Sequence, residues 1–136
     1  VRDEIVIVEY IDIKGEIMKG RLACPCCGKA DFTPELHRAV DRLELFLGSE
    51  LIVTSGFRCS AHNAATPHAA KSSYHIRGMA VDCLVARPDK ARFIDFARQS
   101  GFHGIGVGDQ MIHIDVRLDP ASWAYDSEGA VVSTMS

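Results

Sequence analysis

Two stretches decide how this chain folds: residues 79–85, MAVDCLV, and residues 111–117, MIHIDVR. In the second, Ile112, Ile114 and Val116 alternate with His113, Asp115 and Arg117. Successive side chains of a strand point to opposite faces, so this segment offers one apolar face to a core and one polar face to a site. The first stretch is too apolar and β-branched to be a solvated surface, yet Asp82 sits in its middle. A carboxylate placed there needs a metal, an arginine or hydrogen-bond donors, because otherwise its burial is costly or it stays protonated. Just upstream, residues 72–82 read SSYHIRGMAVD and add His75. His75, Asp82 and His113 are a candidate three-ligand zinc site, since zinc takes nitrogen and oxygen donors tetrahedrally and a catalytic centre leaves the fourth corner to water.

Outward from these strands, the local signals are regular. Residues 5–13 (IVIVEYIDI) read as a strand, Lys14-Gly15 as a turn and residues 16–19 as a short return strand. Thr33-Pro34-Glu35 opens a helix with a hydroxyl cap, a proline at the first position and an acid in the first turn. Leu36, Val40, Leu43 and Leu47 follow at helical spacing until Gly48 stops it. Residues 51–54 form a short strand ending at Ser55-Gly56, and residues 66–73 a loop of small and polar residues leading to His75. Pro88-Asp89 starts a second helix that Gly101 ends, and residues 60–63 are a candidate for a brief third. Residues 102–108 and 111–116 are two strands joined by a short connection. The chain therefore reads as a single α+β domain with a mainly antiparallel sheet and two or three helices. Residues 1–21 are an N-terminal hairpin extension, residues 22–123 the main domain and residues 124–136 a loose tail.

The chain has 136 residues, enough for one domain with a real core. Its net charge of −3 gives no reason to expect nucleic acid, which calls for a basic surface. No apolar run reaches the roughly 20 residues of a membrane span. Five cysteines (Cys24, Cys26, Cys27, Cys59 and Cys83) are an odd count, which points to synthesis in a reducing cytoplasm rather than to a disulfide scaffold. In the CPCCG cluster only Cys24 and Cys27 have C-x-x-C spacing, so packed thiols or one disulfide to Cys59 is preferred over a second, structural zinc. Cys83 follows Asp82 on its strand and faces the core.

Three ordered patterns carry a resemblance: SGFRC-x-x-HN over residues 55–63, S-x-H-x-x-G-x-A-x-D over residues 73–82, and GIGV…IHIDVR over residues 104–117, with Trp123 downstream. Over residues 22–123 the chain resembles the zinc D-Ala-D-Ala carboxypeptidase family, which shares its fold with the signalling domain of hedgehog proteins. The resemblance implies a zinc peptidase acting on peptidoglycan peptides, as a carboxypeptidase or an endolysin-like endopeptidase. It would be made in a bacterial or phage-infected cytoplasm, act at the periplasm or cell wall, and work as a monomer. It also implies that His75, Asp82 and His113 hold the zinc. Arg58 would contact substrate and developing negative charge, a role suited to a permanently cationic fork of donors. Ser73 would orient substrate or the metal shell, and Trp123 would close the end of the sheet or flank the cleft.

One departure bears on catalysis. Many active members carry an acid three residues before the last histidine, where this chain has Gln110, and an amide is no general base. Met111 stands where related metallopeptidases place a second histidine. Asp109, Asp115 and His103 are the alternatives, with Asp115 also suited to hold the ring of His113. His37, His62 and His68 read as local hydrogen-bonding or surface residues. The rival to an enzyme is a zinc-stabilised binding domain of the same fold that has lost catalysis.

Overall fold

The computed structural model describes residues 32–56, 74–75 and 77–135. Helix α1 spans Pro34–Leu47. The hydroxyl of Thr33 accepts from the Leu36 amide at 3.1 Å, and Gly48 closes the helix in the left-handed region at φ 73°. Its buried face is Leu36, Ala39, Val40 and Leu43, the spacing of one helical stripe. Glu44 on the same helix is buried as well, and its carboxylate accepts from the Leu51 amide at 2.7 Å. That bond ties the helix to the chain entering strand β1, Val53–Ser55.

Strand β2 is Ala80–Leu84, followed by a 3₁₀ turn over Arg87–Asp89 and helix α2, Lys90–Ser100, which ends at Gly101 with φ 108°. With strands β3 (Gly104–Val107), β4 (Met111–Asp115), β5 (Ala121–Tyr125) and β6 (Val131–Met135), the described residues form a six-stranded sheet. The order is β1-β2-β4-β3-β5-β6. Every pairing is antiparallel except β3 with β5, so the sheet is mixed and the α+β class holds.

The core lies between one face of this sheet and the two helices. Val81, Cys83, Ile105, Ile112 and Ile114 meet Leu36, Val40, Leu43, Phe93 and Ala97 there, with Phe102 fully buried among them. Each fully buried Leu, Ile or Phe contributes about 1.5–3 kcal/mol over leaving it exposed. The period of two then sends Asp82, His113 and Asp115 to the opposite face. Core and candidate site thus occupy the two sides of the same two strands.

The loose tail expected after Trp123 is corrected by the structure. Residues 126–130 make a turn in which the Asp126 carboxylate accepts from the amides of Glu128 (2.9 Å) and Ala130 (3.0 Å), with Gly129 at φ 89°. An acid followed by a glycine in the left-handed region is a known turn device, and it folds β6 back onto β5. The expected strands over residues 5–13 and 16–19, the CPCCG cluster, the helix at residues 60–63, Cys59, His62 and His68 lie outside the described residues. Among the described residues no helix is long and apolar enough to cross a membrane.

Candidate metal centre

Register brings the centre together. Asp82 on β2 stands directly opposite His113 on β4, a position in which side chains on one face meet. The His113 Nδ1 lies 2.9 Å from the Asp82 Oδ1. His75 comes from the turn before β2, where the Met79 amide donates to the Tyr74 carbonyl at 3.0 Å and Gly78 takes φ 67°. That turn sets the His75 Nε2 3.3 Å from the same Asp82 oxygen. The two imidazoles meet edge to face with centroids 5.1 Å apart. One ligand atom from each of the three residues falls within 4.8 Å of the others.

The outer hydrogen bonds say which ring atoms face inward. The His75 Nδ1 is 2.8 Å from the carbonyl oxygen of Gly56. A carbonyl only accepts, so Nδ1 carries the hydrogen and the lone pair of the neutral ring sits on Nε2, towards Asp82. The His113 Nε2 is 2.8 Å from the Asp115 Oδ2. It donates to that carboxylate, leaving the Nδ1 lone pair on Asp82. Two imidazole lone pairs and a carboxylate oxygen then converge on one small volume, which only a proton or a cation reconciles. This donor set fits a divalent metal such as zinc.

Electrostatics agree. Burial pushes the Asp82 carboxyl up, but the imidazoles of His113 and His75 beside it outweigh that effect and hold the group well below the usual range. Burial likewise opposes charge on His113, yet its bonds to Asp115 and Asp82 raise it above the ordinary value. The centre favours positive charge between its carboxylates.

Asp115 is fully buried and both of its oxygens are engaged. The Arg117 Nε donates to Oδ1 and Nη2 to Oδ2, each at 2.7 Å, and the Arg117 amide adds a contact at 3.2 Å. Burial raises the Asp115 carboxyl, and the bonds from Arg117 and His113 overcome it to bring the value down to about 2. Strand β3 makes room for this arrangement by having glycine at both site-facing positions. A Cβ on Gly104 would collide with the Asp115 carboxylate, and one on Gly106 with the indole of Trp123. Trp123, paired with Gly106 across the parallel β3–β5 ladder, crosses that gap to lie 5.2 Å from the His113 ring.

A family model described as Peptidase M15 matches residues 10–116, most of the chain including all three candidate ligands. The chain belongs to the peptidase M15 family. Comparison with curated proteins and with solved structures gave no match. The M15 match starts upstream of the resemblance read from the motifs and stops short of Trp123.

Of the residues the motifs single out, the M15 fold gathers His75, Asp82, His113, Asp115 and Trp123 into one neighbourhood. It does not bring Asp109 there. Asp109 lies in the β3–β4 connection, forked to Arg87 by two contacts of 2.6 Å, both side chains exposed. The bond to Arg87 lowers the Asp109 carboxyl below its ordinary range. Three residues separate it from His113, four steps along the chain that span at most about 13 Å when extended. Gln110 is exposed in the same connection, and its carbonyl accepts from the Val85 amide at 2.9 Å. His103 is exposed just before the start of β3, its Nδ1 2.8 Å from the Arg117 carbonyl. Arg58 and Ser73 lie outside the described residues.

Sequence reasoning assigned no part to Arg117, Tyr74, Gly104 or Gly106. The signals were present. Alternation in residues 111–117 already puts Arg117 on the site face, and G-x-G inside a strand marks close approach of another group.

Proposed function

We propose that the protein is a zinc metallopeptidase that hydrolyses amide bonds in peptidoglycan, in stem peptides or their cross-links, as a carboxypeptidase or an endopeptidase. The observation that carries this reading is the convergence of His75, Asp82 and His113 within 4.8 Å in a chain of the M15 peptidase family. Zinc held by these three residues would activate a water and polarise the scissile carbonyl. The chain's own groups do the rest. Gly56 fixes the tautomer of His75, Asp115 fixes that of His113, and the Trp123 indole walls one side where a peptide would lie. Following the resemblance, Arg58 binds the anionic part of the substrate and Ser73 orients it. The protein works as a monomer at the periplasm or cell wall.

A second reading has support from one observation. At position 110, where many active relatives carry an acid, this chain has an exposed glutamine, which favours a zinc-stabilised binding domain without turnover. Incubation with purified peptidoglycan separates the two. The peptidase releases new amino termini or free D-alanine, and a chelator stops it. Binding to the wall without any release, at one zinc per chain, would establish the binding domain instead.

A further inference from the structure

We propose that Arg117 is a positioning residue of the metal centre, clamping Asp115 so that the Nδ1 of His113 is the nitrogen presented to the ion. The inference rests on the metal reading of His75, Asp82 and His113 and extends it outward by two residues.

The geometry is that of a braced lever. The Arg117 guanidinium contacts both Asp115 oxygens in a parallel fork at 2.7 Å, the strongest arrangement available to this pair. The cation has aromatic contacts as well. Its central carbon lies 4.4 Å from the centroid of the Tyr74 ring and 4.8 Å from that of Trp123, so two aromatic rings hold the guanidinium by cation–π attraction. The backbone is tethered next to it, where the Val116 amide donates to the Met79 carbonyl at 3.0 Å. Arg117 therefore has little freedom to release the carboxylate.

Asp115 needs such a brace. The His113 imidazole turns about a broad, roughly two-fold torsion, and a half-turn exchanges Nδ1 for a carbon. What selects one orientation is the acceptor at the opposite ring nitrogen, the Asp115 Oδ2 at 2.8 Å. An Asp115 free to rotate would accept from that nitrogen only part of the time. Tyr74, which precedes His75 in the chain, is one of the two rings in contact with Arg117.

The test is zinc affinity, measured by competition with a chromophoric chelator. Arg117→Gln is expected to weaken zinc binding about 10–100-fold, the range for loss of an outer partner of a ligand. Asp115→Asn should cost a similar factor. The double variant should then be no more than about threefold worse than the weaker single one, because both changes release the same ring. Arg117→Lys retains the charge beside the rings but not the fork, so it should keep its melting temperature and still lose about fivefold in affinity. Should Arg117→Gln fail to fold, the lysine variant carries the test. Wild-type affinity in a folded Arg117 variant, or losses that multiply in the double variant, would overturn the proposal. A wild-type chain without measurable zinc affinity would sink the metal reading, a result distinct from either.

Discussion

Gly104 and Asp115 face each other across the β3–β4 ladder, and the carboxylate of Asp115 fills the space that a side chain on Gly104 would take. Gly104→Ala must therefore displace the carboxylate or open the strands. Overpacking of this kind costs about 1–3 kcal/mol. The melting temperature should fall and zinc affinity should drop by about tenfold or more, the outer partner of His113 having moved. A Gly104→Ala variant with unchanged thermal unfolding and zinc binding would mean that Asp115 has a second, equally good place to go.

One zinc per chain is expected from elemental analysis. His113→Ala or His75→Ala should lose most of it. Two equivalents in the wild type, one of them surviving His113→Ala, would assign the second to the cysteine cluster at residues 24–27. Full occupancy in the double histidine variant would remove the centre altogether.

Acid should unfold the chelator-treated protein partly through Asp115. Its folded value of about 2 lies below its ordinary 3.8, so its stabilisation is fully present above that ordinary value and is lost as pH falls through the folded one. The amount is about 2 kcal/mol. Asp82, also depressed, adds loss in the same acidic direction. His113, raised, contributes with the opposite sign, present below its ordinary value and lost as pH rises through the folded one. Denaturant unfolding at a series of pH values should show the acid limb flattened in Asp115→Asn. An acid limb unchanged in that variant would place the titrating carboxylates elsewhere.

Asp109 and Asp115 should separate in a peptidase assay run first with one equivalent of zinc and then with excess. Asp109 is committed to Arg87 at the far end of the hairpin, so Asp109→Asn is expected to keep turnover within about threefold, as exposed pairs contribute little. Asp115→Asn should lose activity mainly through lost metal and regain part of it with added zinc. Abolished turnover in Asp109→Asn with zinc still bound would show that the β3–β4 connection swings in during catalysis.

The parts of the fold that could be read from sequence are those where one residue constrains its own neighbours. Thr33-Pro34 and Gly48 bound α1, and the alternation in residues 111–117 splits core from site without reference to any partner strand. Asp82 stood out because a buried acid among Val81, Cys83 and Leu84 needs an explanation. The unread parts depend on what lies across a ladder. Nothing in Gly104 or Gly106 alone names Asp115 or Trp123 as the group passing overhead. Arg117 was visible on the right face, but its grip by Tyr74 and Trp123 joins residues that are distant in the chain. The β5–β6 hairpin was missed because exposed Val131 and Val132 at a sheet edge leave no two-sided pattern.

Trp123 is the chain's only tryptophan, and its ring stands 5.2 Å from that of His113. All indole emission therefore originates beside the centre. The molecule carries its own optical gauge: arrival of a paramagnetic ion such as cobalt would dim it, and displacement by the tighter-binding zinc would restore it. Metal exchange can be timed in the unlabelled wild-type protein, with no dye to disturb the centre it reports on.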